Sequence, residues 1–288
     1  RFDWAEGSLA ISKIDDANRQ FTINSPGGYG IRAGQRYFVL NLLEEIDQPG
    51  EMYLDRATGL LYVYPPSDPA TARVEFSLLE QPFVEMTDCS WTVLQGLTFD
   101  ICRGNAVAMK NGEHNLIAGC TITRPGQTGV IVDGGHDCGI FGCDIGWTGR
   151  GCTVVTGGDR KTLEPGRHFV ENCDLHDFSR IERSYTPAVL LNGVGNRIAH
   201  NLMHESPHHA MRIEGNDHVV EFNEIHSVVT EGDDQSGLDI YGNPSYWGNV
   251  FRYNFWHHIG SGVACGQGGI RLDDAISGVL MYGNIFYK

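Results

Sequence analysis

Acidic side chains gather in the last third of the sequence: Glu214, Glu231, Asp233, Asp234, Asp239, Asp273 and Asp274. Paired carboxyl groups do acid–base work: one gives up a proton while the other acts as base or nucleophile. An acetal held between them, such as a glycosidic bond, is a bond that needs both. Asp234, Asp239, Asp273 and Asp274 are the catalytic candidates. Arg212 and Arg271 are interleaved with them, so the same residues also read as a neutralised surface. His208 and His209 approach the region in sequence and fit hydrogen bonds to hydroxyl groups or assistance in proton transfer. Glu214 belongs to the same set, and Tyr241 and Trp247 offer flat faces for stacking. The 12 histidines are scattered and none forms an HExxH pattern, so no metal site is expected.

Three short segments must position these groups: 209–216 (HAMRIEGN), 237–243 (GLDIYGN) and 269–275 (GIRLDDA). Each reads as a strand with an apolar centre, Ile213, Ile240 or Leu272. Side chains alternate faces along a strand, so the polar flanks Arg212 and Glu214, Asp239 and Tyr241, and Arg271 and Asp273 share the face opposite the buried one. Glycine follows Asp133, Asn192, Glu214 and Tyr241, which puts these four near one column; Asp273 joins it through Leu272. The position two residues earlier carries Arg212, Asp239 and Arg271. Neighbouring strands lie about 4.8 Å apart, which puts Asp239 and Asp273 about 8 Å apart at the backbone. That spacing is compatible with either a retaining or an inverting carboxyl pair.

The reason to stack the segments is a repeat that starts near residue 76. Its fourth position runs Leu97, Cys120, Cys143, Cys173, Asn201, Asn223, Asn254 and Asn284, in steps of about 22 to 31 residues, the spacing of solenoid coils. One coil cannot bury its inner face, so neighbours must stack. Stacked Asn can hydrogen-bond along the axis and stacked Cys packs as a small apolar group, so this column reads as structural. A second strand per coil includes 106–108, 129–133, 153–156 and 188–192. Residues 1–75 differ. Residues 36–42 read as a strand, and 51–55 with 60–64 read as a hairpin around 56–59, ended by Pro65 and Pro66. The expected organisation is all-β: a small antiparallel unit over 1–75 and a right-handed parallel β-helix over 76–288.

Composition agrees. The 288 residues are 41% hydrophobic with 37 glycines, which suits short strands and many tight turns. A net charge of −15 argues against nucleic acid or an anionic membrane as partner. No apolar run is long enough to cross a bilayer, and the eight cysteines form no CxxC pair. The chain starts at Arg1 without a signal peptide and stops just after a strand without a cap, so it reads as a piece of a longer product.

At this point the chain resembles right-handed parallel β-helix proteins of the carbohydrate-active type. Residues 49–55 with 59–65 look like the β-sandwich unit beside the helix in such bacterial proteins. Residues 216–226, and 271–274 with 277–278 and 282–286, look like their coils. The segment 231–237 and the pair Asp273-Asp274 are similar to acidic segments of β-helix glycoside hydrolases. The resemblance implies a secreted or periplasmic enzyme acting on a polysaccharide or oligosaccharide, with no cofactor for a hydrolase. A β-helix lyase is the alternative. It would neutralise a uronate, often with Ca²⁺, through Arg212, Arg271 and His209. A helix that binds glycans without catalysis is the third reading.

Overall fold

The computed structural model describes residues 4–25, 27–28, 30–35, 37–261 and 266–288. Two compact units result, one over Leu9–Phe76 and the other over Ser77–Lys288 with the segment Phe2–Ser8.

In the larger unit every coil contributes one strand to each of three parallel sheets. The first sheet runs from Val84–Thr87 through Val130–Asp133, Val189–Val194 and Met211–Asn216 to Gly268–Leu272. The second runs from Val93–Gln95 to Leu280–Tyr282, and the third from Thr98–Cys102 to Ile285–Tyr287. This is a parallel β-helix, the architecture expected. The core is the stack of inward side chains, among them Val107, Val130, Val189, Met211 and Leu238, all fully buried.

The turn between the second and third sheets explains the repeat motif. Its first residue takes a left-handed conformation: Gly96, Gly119 and Gly142 early, then Asn172, His200, Phe222 and Tyr253 with φ of 54° to 58°. A non-glycine residue is strained there, and the next residue holds the turn in place. Asn223 accepts the N–H of Asn201 at 3.0 Å and donates to the Ile198 carbonyl at 3.1 Å, and Asn254 accepts the N–H of Asn223 at 3.1 Å. The cysteines continue the column: the Cys143 N–H points at Cys173 Sγ, 3.5 Å away. The seven described cysteines are free.

A second ladder, which no single residue type marks in the sequence, runs along the turn between the first and second sheets. The Cys138 N–H donates to His168 Nδ1 at 3.1 Å and the His168 N–H to Asn196 at 2.9 Å. The Asn196 N–H donates to His218 Nδ1 at 3.1 Å and the His218 N–H to Asn249 at 3.0 Å.

Three local expectations need correction. Residues 37–40 form no strand and are exposed, with Tyr37 at 78%; Arg36 lies outside the described residues. The unit over Leu9–Phe76 holds two separate hairpins, Ile11–Asp15 with Gln20–Ile23 and Met52–Asp55 with Leu60–Val63. Among the described residues no pairing joins them into a sandwich. Leu272 pairs with Ile240 as expected but is 37% exposed, because no described strand stacks beyond it.

Candidate active site

The outward face of the first sheet changes character along the stack. Ile131, Val154 and Leu190 follow one another in register, and the same column continues as Arg212, Asp239 and Arg271. The apolar part floors a depression of about 410 Å³ that Tyr185, Gln127 and Arg150 also line. The charged part is the site that the sequence indicated.

Arg271 organises one cluster. Its Nη2 lies 3.0 Å from Asp234 Oδ1 and 2.6 Å from Asp273 Oδ2, and its Nη1 donates to the Asp234 carbonyl. Both carboxyl groups stay accessible, with side chains 44% and 41% exposed. Asp273 Oδ1 accepts the Asp274 N–H at 2.9 Å. The Asp274 carboxyl itself is not among the contacts of Arg271.

Arg212 organises a second cluster. Its Nη2 meets Glu214 Oε1 at 2.5 Å, its Nη1 donates to the Tyr241 hydroxyl, and its guanidinium lies 4.0 Å over the Tyr241 ring. Burial pushes the Tyr241 phenol up to about 12, so it serves here as a hydrogen-bonding group and a ring face.

Between these clusters lies a buried pair. His209 Nδ1 is 3.3 Å from Asp239 Oδ2 and 3.2 Å from Gln235 Oε1. Both partners are essentially inaccessible, so Asp239 orients His209 and does not itself reach the surface. His209 Nε2, Asp239 Oδ1 and Arg212 Nε are buried without a protein hydrogen-bond partner. Each such atom costs about 1–3 kcal/mol. Three of the six found among the described residues fall in this one cluster. That concentration is what makes this cluster the candidate functional region.

The remaining expected residues sort differently. His208 is committed to the backbone: Nδ1 accepts the Tyr185 N–H at 3.3 Å and Nε2 faces the Trp4 carbonyl at 3.1 Å. It pins the chain start and the 177–188 insert. Trp247 is 47% exposed, and its carbonyl accepts from Asn216 at 3.1 Å. It takes part in neither arginine cluster among the described residues.

Two residues left out of the expected set belong here. Tyr185 puts its ring 5.0 Å from His208, 6.1 Å from His209 and 6.3 Å from Tyr241, at the border of the depression. Its only sequence signal is that it lies on a long insert. Arg160, on the hairpin Gly158–Pro165, reaches Asn216 at 3.0 Å and Ser245 at 2.7 Å and covers the Tyr246 ring. The described groups of three close His and carboxylate ligands, Glu113/His114/His136 and Glu224/His226/His257, lie outside both arginine clusters.

No family model and no curated protein matches this sequence. Solved structures do. A protein described as a glycoside hydrolase superposes with a TM-score of 0.59 at 13% identity, over 86% of this chain and 57% of its own. What the two share is the fold. This chain therefore spans little more than half the length of that protein. An alginate lyase from Paenibacillus sp. str. FPU-7 (13% identity, 74% of this chain and 76% of its own, TM-score 0.43) and the Siphovirus 9NA tailspike receptor binding domain (11%, 71% and 51%, 0.42) also match.

Proposed function

We propose that this chain carries the active site of a secreted carbohydrate-active enzyme, a glycoside hydrolase. Its polysaccharide or oligosaccharide substrate lies along the outward face of the first sheet. Asp234 and Asp273 are the catalytic carboxyl pair, one as acid/base and the other as nucleophile, Arg271 fixes their orientation, and Tyr185 and Tyr241 offer ring faces to the sugar. Glu214 and Arg212 bind hydroxyl groups, and Asp239 acts as a positioning residue through His209.

The observation that carries this reading is the convergence of two exposed carboxyl groups on one guanidinium nitrogen. Their oxygens, 3.0 and 2.6 Å from that nitrogen, are no more than about 6 Å apart. That suits a retaining pair at about 5–5.5 Å and falls short of an inverting pair at about 6.5–9.5 Å. The expected product keeps the anomeric configuration of the substrate.

A second reading, a polysaccharide lyase, is favoured by the unpartnered Nε2 of His209, whose ring lies 6.1 Å from that of Tyr185. One screen against a panel of neutral and uronate-containing polysaccharides separates the two. New reducing ends without unsaturated-uronate absorbance support the hydrolase, and that absorbance supports the lyase. Asp234→Asn and Asp273→Asn should each abolish most hydrolysis; full activity in either removes that residue from the pair. Binding without turnover across the panel would leave a glycan-binding helix, with no catalytic role for either residue.

A further inference from the structure

The third sheet carries a row of histidines that the proposed cleft does not use. His176, His204, His226 and His257 occupy one position in four successive strands. Their rings stack with centroids 5.5, 5.0 and 4.7 Å apart. Two residues earlier in each strand runs a second row: Asp144, Asp174, Leu202, Glu224 and Phe255. Both rows face outward, because the residues between them, such as Leu175, Met203 and Ile225, are fully buried.

The rows obey a rule with one exception. Each imidazole reaches back to the carboxylate of the preceding coil: His176 Nε2 to Asp144 at 3.0 Å, His204 Nε2 to Asp174 at 3.1 Å and His257 Nε2 to Glu224 at 3.1 Å. His226 has Leu202 where its carboxylate would stand. Its Nδ1 meets Ser227 Oγ at 3.1 Å, and its Nε2 has no protein partner among the described residues. On the second sheet, by contrast, arginine takes the carboxylates: Arg197 pairs with Glu171 and Glu221, and Arg252 with Glu221. The described ion pairs of Asp144, Asp174 and Glu224 are all to imidazole. One ligand atom from each of Glu224, His226 and His257 lies within 4.8 Å of the other two.

We propose that Glu224, His226 and His257 form a binding site for a divalent transition-metal ion of the zinc class. Two imidazoles and one carboxylate suit zinc, cobalt or nickel better than the hard cations calcium and magnesium. A zinc ion sits about 2.0–2.1 Å from each ligand atom. Binding therefore draws the three side chains together by rotations about their side-chain bonds, while the strands stay in place. The second ring nitrogens are already engaged, His226 with Ser227 and His257 with His258 Nδ1 at 2.7 Å; such partners fix ring orientation around a metal. Three protein ligands leave room for water, and an ion here would tie two neighbouring coils together.

The test is zinc titration against a chromophoric chelator, with the visible spectrum of the cobalt form as a second readout. The wild type takes up zinc and gives cobalt bands. His226→Asn and Glu224→Gln each lose at least about tenfold in affinity, the scale of a ligand-sphere defect, and lose the bands. His176→Asn, two coils away, keeps both. Glu224 is an exposed side chain, so its variant is expected to fold, and circular dichroism of the metal-free proteins checks this. No zinc uptake at millimolar concentration overturns the proposal. So does a smaller loss in the two ligand variants, or uptake that disappears only when the other close group is broken by His136→Asn.

Discussion

His218 should make the fold sensitive to acid by an amount that can be worked out. It is fully buried beneath Glu214. Its Nδ1 accepts the Asn196 N–H at 3.1 Å, and its Nε2 donates to the Glu214 carbonyl at 3.1 Å. Neutral imidazole satisfies both contacts. A second proton on Nδ1 would face an N–H and bury an uncompensated charge. Burial accordingly depresses the His218 pKa from 6.5 to about 4. Between those values the unfolded chain takes up a proton that the folded chain refuses. This residue's contribution is therefore intact above about pH 6.5 and is lost as pH falls toward 4. The gap corresponds to about 3 kcal/mol. His218→Gln keeps a donor and an acceptor and cannot titrate. Urea unfolding near pH 7 and near pH 4 reads the difference between wild type and variant. Glu221 and His168, whose pKa values are also lowered, act in the same direction in both proteins and cancel. The wild type should lose about 3 kcal/mol more than the variant. Parallel losses in the two proteins would refute the burial argument.

Further outcomes follow from the contacts. Asn223→Ala leaves the Asn201 N–H and the Ile198 carbonyl unmatched in the interior; thermal melting should show a loss of about 2–6 kcal/mol. Arg271→Met removes a partner shared by two half-exposed carboxylates. Stability should change by less than about 1 kcal/mol, while polysaccharide turnover collapses because both carboxyl groups lose their orientation. Tyr185→Ala should raise KM about three- to tenfold with kcat largely kept, as the loss of a stacking face would. Tyr185→Phe should behave like the wild type in the same steady-state assay.

The periodic part of the molecule is legible in the residue order alone. The Cys and Asn column marks every coil from Cys120 to Asn284, because a turn that leaves backbone groups unpaired needs a small side chain that can meet them each time round. The register of Arg212, Asp239 and Arg271 is legible for the same reason, since stacked coils align equivalent positions. The second ladder is hidden because it mixes Cys138, His168, Asn196, His218 and Asn249. Imidazole and amide side chains alternate there as the acceptor, so no single residue type recurs in successive coils. The absence of a strand at residues 37–40 is not legible either: an apolar, aromatic run signals a strand only when a partner strand exists to take its backbone hydrogen bonds.

The sequence by itself determined the solenoid, its column of inward residues and the set of charged side chains that share one outward face. The tertiary structure decided what each of those charges can do. It placed Asp234 and Asp273 on a single guanidinium and sank Asp239 with His209 out of reach of solvent. It also brought Tyr185 from an insert and Trp4 from the chain start to the same place. Strand register follows from repeat spacing, which is local and periodic. Burial of a surface position depends on which insert folds over it, and inserts carry no period for the sequence to reveal.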